Sequence, residues 1–197
     1  MNAIDVQTWT ILGGVIVLAL FGLGPWFLFQ RNQSHRLRER FGTEYGRTVD
    51  ELKSRTKAES NLKEREKRAQ GFHIVPLAPA DAAKFIQAWK TLQSSFVDNP
   101  TGVVVQADQL VRELMLKRGY PMGDFEHRAA DISVDHPSVV HNYRAAQIIA
   151  LRSERGEGNT EDLRQAVVHF RALFDELLEI AEDMREIAPP RMVEAHV

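Results

Sequence analysis

The sequence contains no cysteine in its 197 residues. This absence excludes disulfide bonds, a thiol nucleophile and thiolate metal ligands, and it is typical of a reducing compartment such as the cytoplasm. The chain also has no glycine-rich phosphate loop, no nucleophile elbow and no dinucleotide-binding fingerprint. The motifs therefore predict no catalytic residue, no bound metal ion and no cofactor.

Charged side chains are missing from one long run near the N-terminus. No ionisable side chain occurs from Trp9 to Phe29. At about 1.5 Å per residue, such a run forms a helix of about 30 Å, which matches the hydrocarbon thickness of a bilayer. Trp9 and Trp26 stand near its two ends, where aromatic side chains favour the membrane interface. The run predicts a transmembrane helix over residues 9–30, with both tryptophans as membrane anchor residues.

A buried helix and a cleavable signal peptide are the two other interpretations of this run. A buried helix of a soluble protein seldom runs this long without a polar edge. A signal peptide would have a basic start, an apolar region of about 7–15 residues and small residues at its cleavage site. Phe29-Gln30-Arg31 offers no such site. We therefore expect the helix to remain in the mature protein.

The flanking charges predict how this helix is oriented. Only Asp5 is charged before it, whereas Arg31, Arg36, Arg38 and Arg40 follow it. Because basic residues stay on the cytoplasmic side, residues 1–8 should be extracytoplasmic and the chain from Arg31 onward cytoplasmic. The four arginines are predicted to face anionic lipid headgroups, where each cation gains about 1 kcal/mol.

The net charge of −2 is unevenly distributed along the chain. Residues 31–68 carry 12 Lys and Arg against 7 Asp and Glu, whereas residues 69–197 carry 13 against 19. The first segment, with a sparse helical pattern, predicts a basic juxtamembrane helical stalk over 31–70. A break is expected near Gly42 and Gly46, because glycine disfavours helix. The stalk's narrow apolar face would lie on the membrane, the body or a second copy. The acidic remainder argues against nucleic-acid binding.

Beyond the stalk, the sequence predicts an all-α body. Gly71 to Pro79 should be an extended segment lying on this body, because its two prolines exclude a helix. Apolar residues then recur at steps of three and four, which favours an antiparallel four-helix-type bundle over residues 71–187, with some coiled-coil character. Residues 188–197 are predicted to form a tail. The helical segments are expected near 79–96, 100–118, 135–151 and 160–187, with a shorter one near 125–132.

The last predicted helix is longer than its companions. Its length of about 40 Å leaves the apolar positions at its far end without an obvious cover. Ile180, Met184 and Ile187 are therefore predicted to form an interaction surface for the stalk, a second copy or a protein partner.

Acidic and imidazole side chains are concentrated around the third connection of the body. His127 and Asp131 lie four residues apart and could pair on one helical face. Metal binding would need three or four converging ligands, and no H-E-x-x-H spacing is present. The alternative reading is capping and surface solvation, with Asp135 capping the helix that follows. The candidate residues are Asp124, His127, Asp131, Asp135, His136 and His141.

The runs Arg118–Pro121, Asp124–Glu126, Asp131–Pro137 and Tyr143-Arg144 resemble a group of uncharacterised bacterial single-pass membrane-anchored helical proteins. The resemblance extends from the predicted anchor to about Leu178. It implies a bacterial inner (plasma) membrane location and transfers no catalytic residue.

Taken together, these features predict a single-pass membrane protein that presents a cytoplasmic helical bundle for protein–protein interaction or self-association. The alternative is a membrane-bound enzyme, or a ligand or metal sensor, that uses the Asp/His cluster at 124–141.

Overall fold

The computed structural model describes residues 31–187, with side chains described for residues 31–178. All the regular secondary structure in this part of the chain is helical, and it contains no strand. This confirms the predicted all-α class. None of its helices has both the length and the apolar character needed to cross a bilayer. The predicted N-terminus (1–8), membrane helix (9–30, with Trp9 and Trp26) and tail (188–197) lie outside the described residues.

Eight helices follow one another along the described residues. Residues 31–41 are helical and belong to α1. The others are α2 (Thr43–Leu52), α3 (Arg55–Ala69), α4 (Pro79–Ser94), α5 (Pro100–Arg118), α6 (Phe125–Asp135), α7 (Val140–Glu154) and α8 (Thr160–Ile187).

Helix α8 is the centre of a helical bundle, since it packs against α4, α5 and α7. Trp89 of α4 stacks on Phe174 of α8, with ring centroids 4.6 Å apart. Tyr143 of α7 meets Phe170 of α8 edge-on, at 6.3 Å. All four aromatic side chains are buried, and burying a large apolar side chain contributes roughly 1.5–3 kcal/mol. The repeat of three and four in α8 therefore marks the core of the bundle, as predicted.

The prediction that Asp135 caps the third long helix is wrong. Asp135 is the last residue of α6, and α7 begins at Val140 without a side-chain cap. The reason is Pro137, which disfavours the helical conformation in the residue before it. His136 accordingly leaves the helix, with φ of −126°.

The segment predicted as a stalk is helical, but it is folded back on itself. Helices α1, α2 and α3 form an N-terminal helical unit (residues 31–69) with a small apolar core that also includes one residue of α6. Gly42, with φ of +50°, separates α1 from α2, as the sequence indicated. Leu62 of α3 packs against the apolar face of α1 and α2. The narrow apolar face predicted for the stalk is therefore covered by α3 and by α6 of the body. The core consists of Leu37, Phe41, Tyr45, Leu62 and Val134, the last from α6.

The segment between α3 and α4 is extended and lies on the body, as predicted. The Val75 N–H donates to the carbonyl of Arg118 at 2.8 Å, and Leu77 is buried. Gly119, which ends α5 with φ of +93°, passes so close that an added Cβ would lie 2.3 Å from the carbonyl oxygen of His73. The left-handed turn after α5 therefore fixes this segment against the bundle.

We expect Gly119→Ala to destabilise the full chain by about 3 kcal/mol, because the methyl group adds a backbone clash to the cost of a positive φ. Gly156→Ala is the matched control. Gly156 also has positive φ, but no atom lies within 4 Å of the added Cβ, so its cost should be only about 1 kcal/mol. Urea denaturation followed by circular dichroism measures both. Equal losses would show that the contact with His73 contributes nothing.

Candidate functional site

Two residues of the predicted polar cluster form a helix cap. Oδ1 of Asp124 accepts a hydrogen bond from the backbone N–H of His127 at 2.9 Å and lies 2.9 Å from its Nδ1. These hydrogen bonds, the backbone one first, lower the pKa of Asp124. Both side chains are exposed, so this pair caps the start of α6 at the surface.

Asp131 does not pair with His127, contrary to the pairing that their spacing suggested. Its Oδ1 accepts hydrogen bonds from Nη2 and Nε of Arg68, at 2.7 and 2.9 Å. The carboxylate is buried because α3 of the N-terminal helical unit covers this face of α6, whereas His127 is exposed. Asp131 therefore ties the N-terminal helical unit to the body.

His136 is buried between two partners from distant parts of the chain. Its Nε2 lies 3.1 Å from the hydroxyl of Tyr120, and its Nδ1 lies 3.1 Å from Oε1 of Glu176. Burial raises the pKa of Tyr120 to about 12, so the phenol stays protonated and can donate to Nε2. The imidazole thus joins the loop after α5, the loop after α6 and α8.

The remaining two cluster residues do not complete a site. Asp135 and His141 are both exposed, and the charge of His141 adds to burial in lowering the pKa of His169 on α8. The six candidate residues are therefore distributed among a cap, an ion pair, a buried bridge and the surface. Among the side chains of residues 31–178, no group of three or more acidic or imidazole side chains could hold a metal ion.

A buried carboxylate that the sequence did not single out joins three helices. Glu44 of α2, 2% exposed, accepts two hydrogen bonds from Arg47, at 2.8 and 2.9 Å. Arg65 of α3 donates to it at 3.0 Å, and Arg144 of α7 donates at 3.1 Å. We call these four residues the Glu44 cluster. It links the N-terminal helical unit to the bundle through charge-assisted hydrogen bonds, which are stronger than neutral ones.

Electrostatics keep the carboxyl group of Glu44 ionised. Burial alone would raise the pKa of Glu44, but the hydrogen bonds from Arg47 and Arg65 and the charges of Arg144 and Arg47 outweigh burial and lower it. The surplus positive charge is balanced nearby. Arg144 also pairs with Glu126 at 2.6 Å, and Arg47 pairs with Glu51 at 2.9 Å.

The four predicted lipid-facing arginines of α1 lie in two different surroundings. Arg36 and Arg40 pair with the buried Glu66 of α3, at 2.9 and 3.3 Å. Arg31 and Arg38 instead line a cavity of about 510 Å³ between α1 and α3, together with Arg55. We call this the α1–α3 cavity. Its lining is Arg31, Ser34, His35, Arg38, Arg55, Thr56 and Glu59.

Glu59 holds the wall of the α1–α3 cavity together. Its Oε1 accepts hydrogen bonds from Ser34 at 2.7 Å, from Tyr45 at 2.8 Å and from Arg55 at 2.9 Å. Burial would raise the pKa of Glu59, but these three donors outweigh burial and lower it. The guanidinium of Arg38 lies 5.2 Å from the ring centre of Tyr45, a cation–π contact. One ionised carboxylate thus orders two arginines of the cavity.

The Glu44 cluster had one signal in the sequence. Leu37, Phe41, Glu44 and Thr48 follow one another at steps of four, three and four, so Glu44 lies on the apolar face of the helical pattern. A carboxylate on an apolar face requires a cationic partner, because an unpaired buried charge is very costly. The partners Arg65 and Arg144 could not be identified, since they are distant in the chain.

Comparison with protein-family models, with curated proteins and with solved structures found no match to this chain. Any function must therefore be inferred from the geometry of the described residues.

The predicted interaction surface lies on α8, which extends to Ile187. It consists of Ile180, Met184 and Ile187. Their side chains are outside those described, and their role stays a prediction.

We expect Glu44→Gln to destabilise the full chain by about 3–5 kcal/mol, because it leaves the buried Arg65 without a countercharge and leaves Arg144 with Glu126 alone. Glu51→Gln is the matched control. It makes the same change on the same helix and also removes a partner of Arg47, but Glu51 is 55% exposed, so about 0–1 kcal/mol should be lost. Urea denaturation measures both. Similar losses would contradict a central role for Glu44.

The stability that Glu44 provides should depend on pH. Because folding lowers the pKa of Glu44 below its ordinary value of 4.5, the contribution is complete above that value and is lost as the pH falls through the folded-state pKa. The difference in unfolding free energy between the wild type and Glu44→Gln should therefore shrink from pH 7 to pH 3. Urea titrations across this range test it, and a constant difference would contradict it.

Proposed function

We propose that this protein is anchored in the bacterial inner membrane by residues 9–30 and presents its helical bundle in the cytoplasm for self-association or for a protein partner. Support for the anchor comes from the uncharged N-terminal run and from the arginines that follow it. Support for a binding role comes from the apolar positions at the far end of α8. No chemical step is assigned to the protein.

The attachment of the N-terminal helical unit to the bundle is the observation that carries this proposal. The Glu44 cluster connects α2 and α3 to α7, and Arg68 with Asp131 connects α3 to α6. Separating the two parts would break these charge-assisted hydrogen bonds and would also expose the apolar cluster that Val134 of α6 forms with Leu37, Phe41, Tyr45 and Leu62, so the two parts are held together. A membrane helix ending near Arg31 would therefore hold the bundle at a fixed height and orientation, and not on a flexible tether.

The charge distribution agrees with such an orientation. The N-terminal helical unit is basic and would lie against anionic headgroups, whereas the rest of the chain carries an excess of acidic residues. An anionic membrane surface attracts the first part and repels the second. The bundle would consequently project into the cytoplasm, with the far end of α8 available for a partner.

The alternative of a membrane-bound enzyme or sensor has weaker support. Its six candidate residues are engaged in a helix cap, an ion pair with Arg68 and a bridge between Tyr120 and Glu176, or are separately exposed. Among the described side chains, no three of these residues come together as metal ligands.

A photo-crosslinking amino acid at position 184 tests the binding role in the full chain in its native membrane. We expect a discrete adduct, at twice the mass for self-association or at another defined mass for a partner. Position 97 is the matched control, because Val97 is 90% exposed and lies between α4 and α5, not on α8. Adducts at neither position, or at both equally, would contradict an interaction surface at the end of α8.

The anchor and its orientation are tested by alkaline extraction and by protease treatment of sealed cells. The full chain should stay in the membrane pellet at high pH, because a spanning helix resists extraction, and its body should be protected from external protease. Release into the supernatant would refute the anchor, and digestion of the body from outside would refute the orientation.

A further inference from the structure

We propose that the α1–α3 cavity binds the phosphate group of an anionic phospholipid headgroup. This inference rests on the proposed anchor, because it places the cavity at the membrane surface. It goes further than that function because it assigns headgroup binding to one cavity, and not to the general positive charge of the N-terminal helical unit.

The charges lining the α1–α3 cavity favour an anion. Arg31, Arg38 and Arg55 contribute three positive charges, and Glu59 contributes the one negative charge. The cavity thus carries a net charge of about +2 with His35 neutral. Nδ1 of His35 lies 3.5 Å from Oε1 of the exposed Glu39, which does not line the cavity and is not counted in this net charge. Guanidinium groups match phosphate oxygens in geometry and can bind them with two parallel hydrogen bonds.

Two of the three arginines of the cavity, Arg38 and Arg55, are already held in place. Glu59 accepts from Nε of Arg55, and each guanidinium has five N–H donors, so donors remain for a ligand. Arg38 is positioned by the ring of Tyr45, whose hydroxyl also donates to Glu59. Because these side chains need little reordering, a bound phosphate would cost less conformational entropy than at flexible surface arginines.

A second polar cavity shows how specific this arrangement is. It measures about 210 Å³, lies between α2, α3 and α6, and is also lined by three arginines, Arg47, Arg65 and Arg68. There, however, Glu51, Glu64 and Glu126 balance the arginines within the same lining. The α1–α3 cavity is the one of the two that has surplus positive charge.

The position of the cavity favours a lipid as the source of the phosphate. Arg31 directly follows the predicted membrane helix, and Arg38 lies about 10 Å further along α1. The headgroup region of one leaflet is about 5–7 Å thick, and an arginine side chain can reach back into it. The cavity is open to the surface, and with residues 9–30 as the anchor it would lie next to the lipid phosphates.

The test is isothermal titration calorimetry of the full chain in dodecyl maltoside. The probes are dihexanoyl phosphatidylglycerol, dihexanoyl phosphatidylcholine and sodium phosphate. We expect the wild type to bind phosphatidylglycerol about tenfold more tightly than either other probe. Arg38→Gln should weaken this binding about tenfold, which corresponds to the loss of one charge-assisted contact.

Arg36→Gln is the matched control, because it removes the same charge from the same helix at a residue already paired with Glu66. It should change the dissociation constant less than about twofold, as expected for a screened exposed charge. Equal weakening by both substitutions would overturn the site in favour of diffuse attraction. Sodium phosphate binding as tightly as phosphatidylglycerol would overturn the lipid source. Circular dichroism verifies that both variants fold.

Alkaline extraction of the same variants separates this inference from the proposed function. Both variants should remain in the membrane pellet, because residues 9–30 are unchanged. A wild type that extracts from membranes refutes the proposed anchor. A wild type that resists extraction, with phosphatidylglycerol binding that does not depend on Arg38, refutes the cavity site alone.

Discussion

The buried carboxylate of Glu44 is the constraint on which the arrangement of this chain depends. Three arginines, from α2, α3 and α7, donate hydrogen bonds to it. The three helices must therefore meet at this carboxylate in the folded chain. Apolar packing alone is non-directional, so Leu62 and Val134 could hold the N-terminal helical unit on the body in more than one way. The directional hydrogen bonds of the Glu44 cluster select one of them.

This attachment changes how a membrane anchor would act on the rest of the protein. A solvated stalk would separate the bundle from the bilayer and leave its orientation free. A unit attached to α6 and α7 would instead transmit the position of such an anchor to the bundle. The arginines of α1 also have different surroundings, since Arg36 and Arg40 pair with Glu66, whereas Arg31 and Arg38 line an open cavity. Similar residues in one helix thus pair with a buried carboxylate in one case and line an open cavity in the other.

Local patterns predicted most of the secondary structure. Asn99 and Pro100 marked the start of α5, Gly119 marked its end, and Gly42 marked the break after α1, because each depends on backbone preferences of neighbouring residues. The heptad spacing of Leu163 to Leu177 likewise identified the buried face of α8. The helix start assigned to Asp135 failed because the effect of Pro137 on the preceding residue outweighed a good capping side chain.

The polar contacts were far less predictable. His127 and Asp131 have suitable spacing for a pair, yet Arg68, 63 residues before Asp131, takes that carboxylate. Glu44 and Arg144 are separated by 100 residues, and nothing in their local sequence relates them. Long-range pairing depends on which helix faces meet, and that is a property of the packed molecule.

The sequence by itself determined that this chain is helical, where most of its helices begin and end, and which stripe of α8 enters the core. Those features follow from interactions between residues a few positions apart. Only the tertiary structure decided that residues 31–69 fold back onto the body, that a buried carboxylate fastens them there, and that two arginines of α1 line a cavity with Arg55. The physical reason is that a charge can be buried only where distant helices bring its partners together.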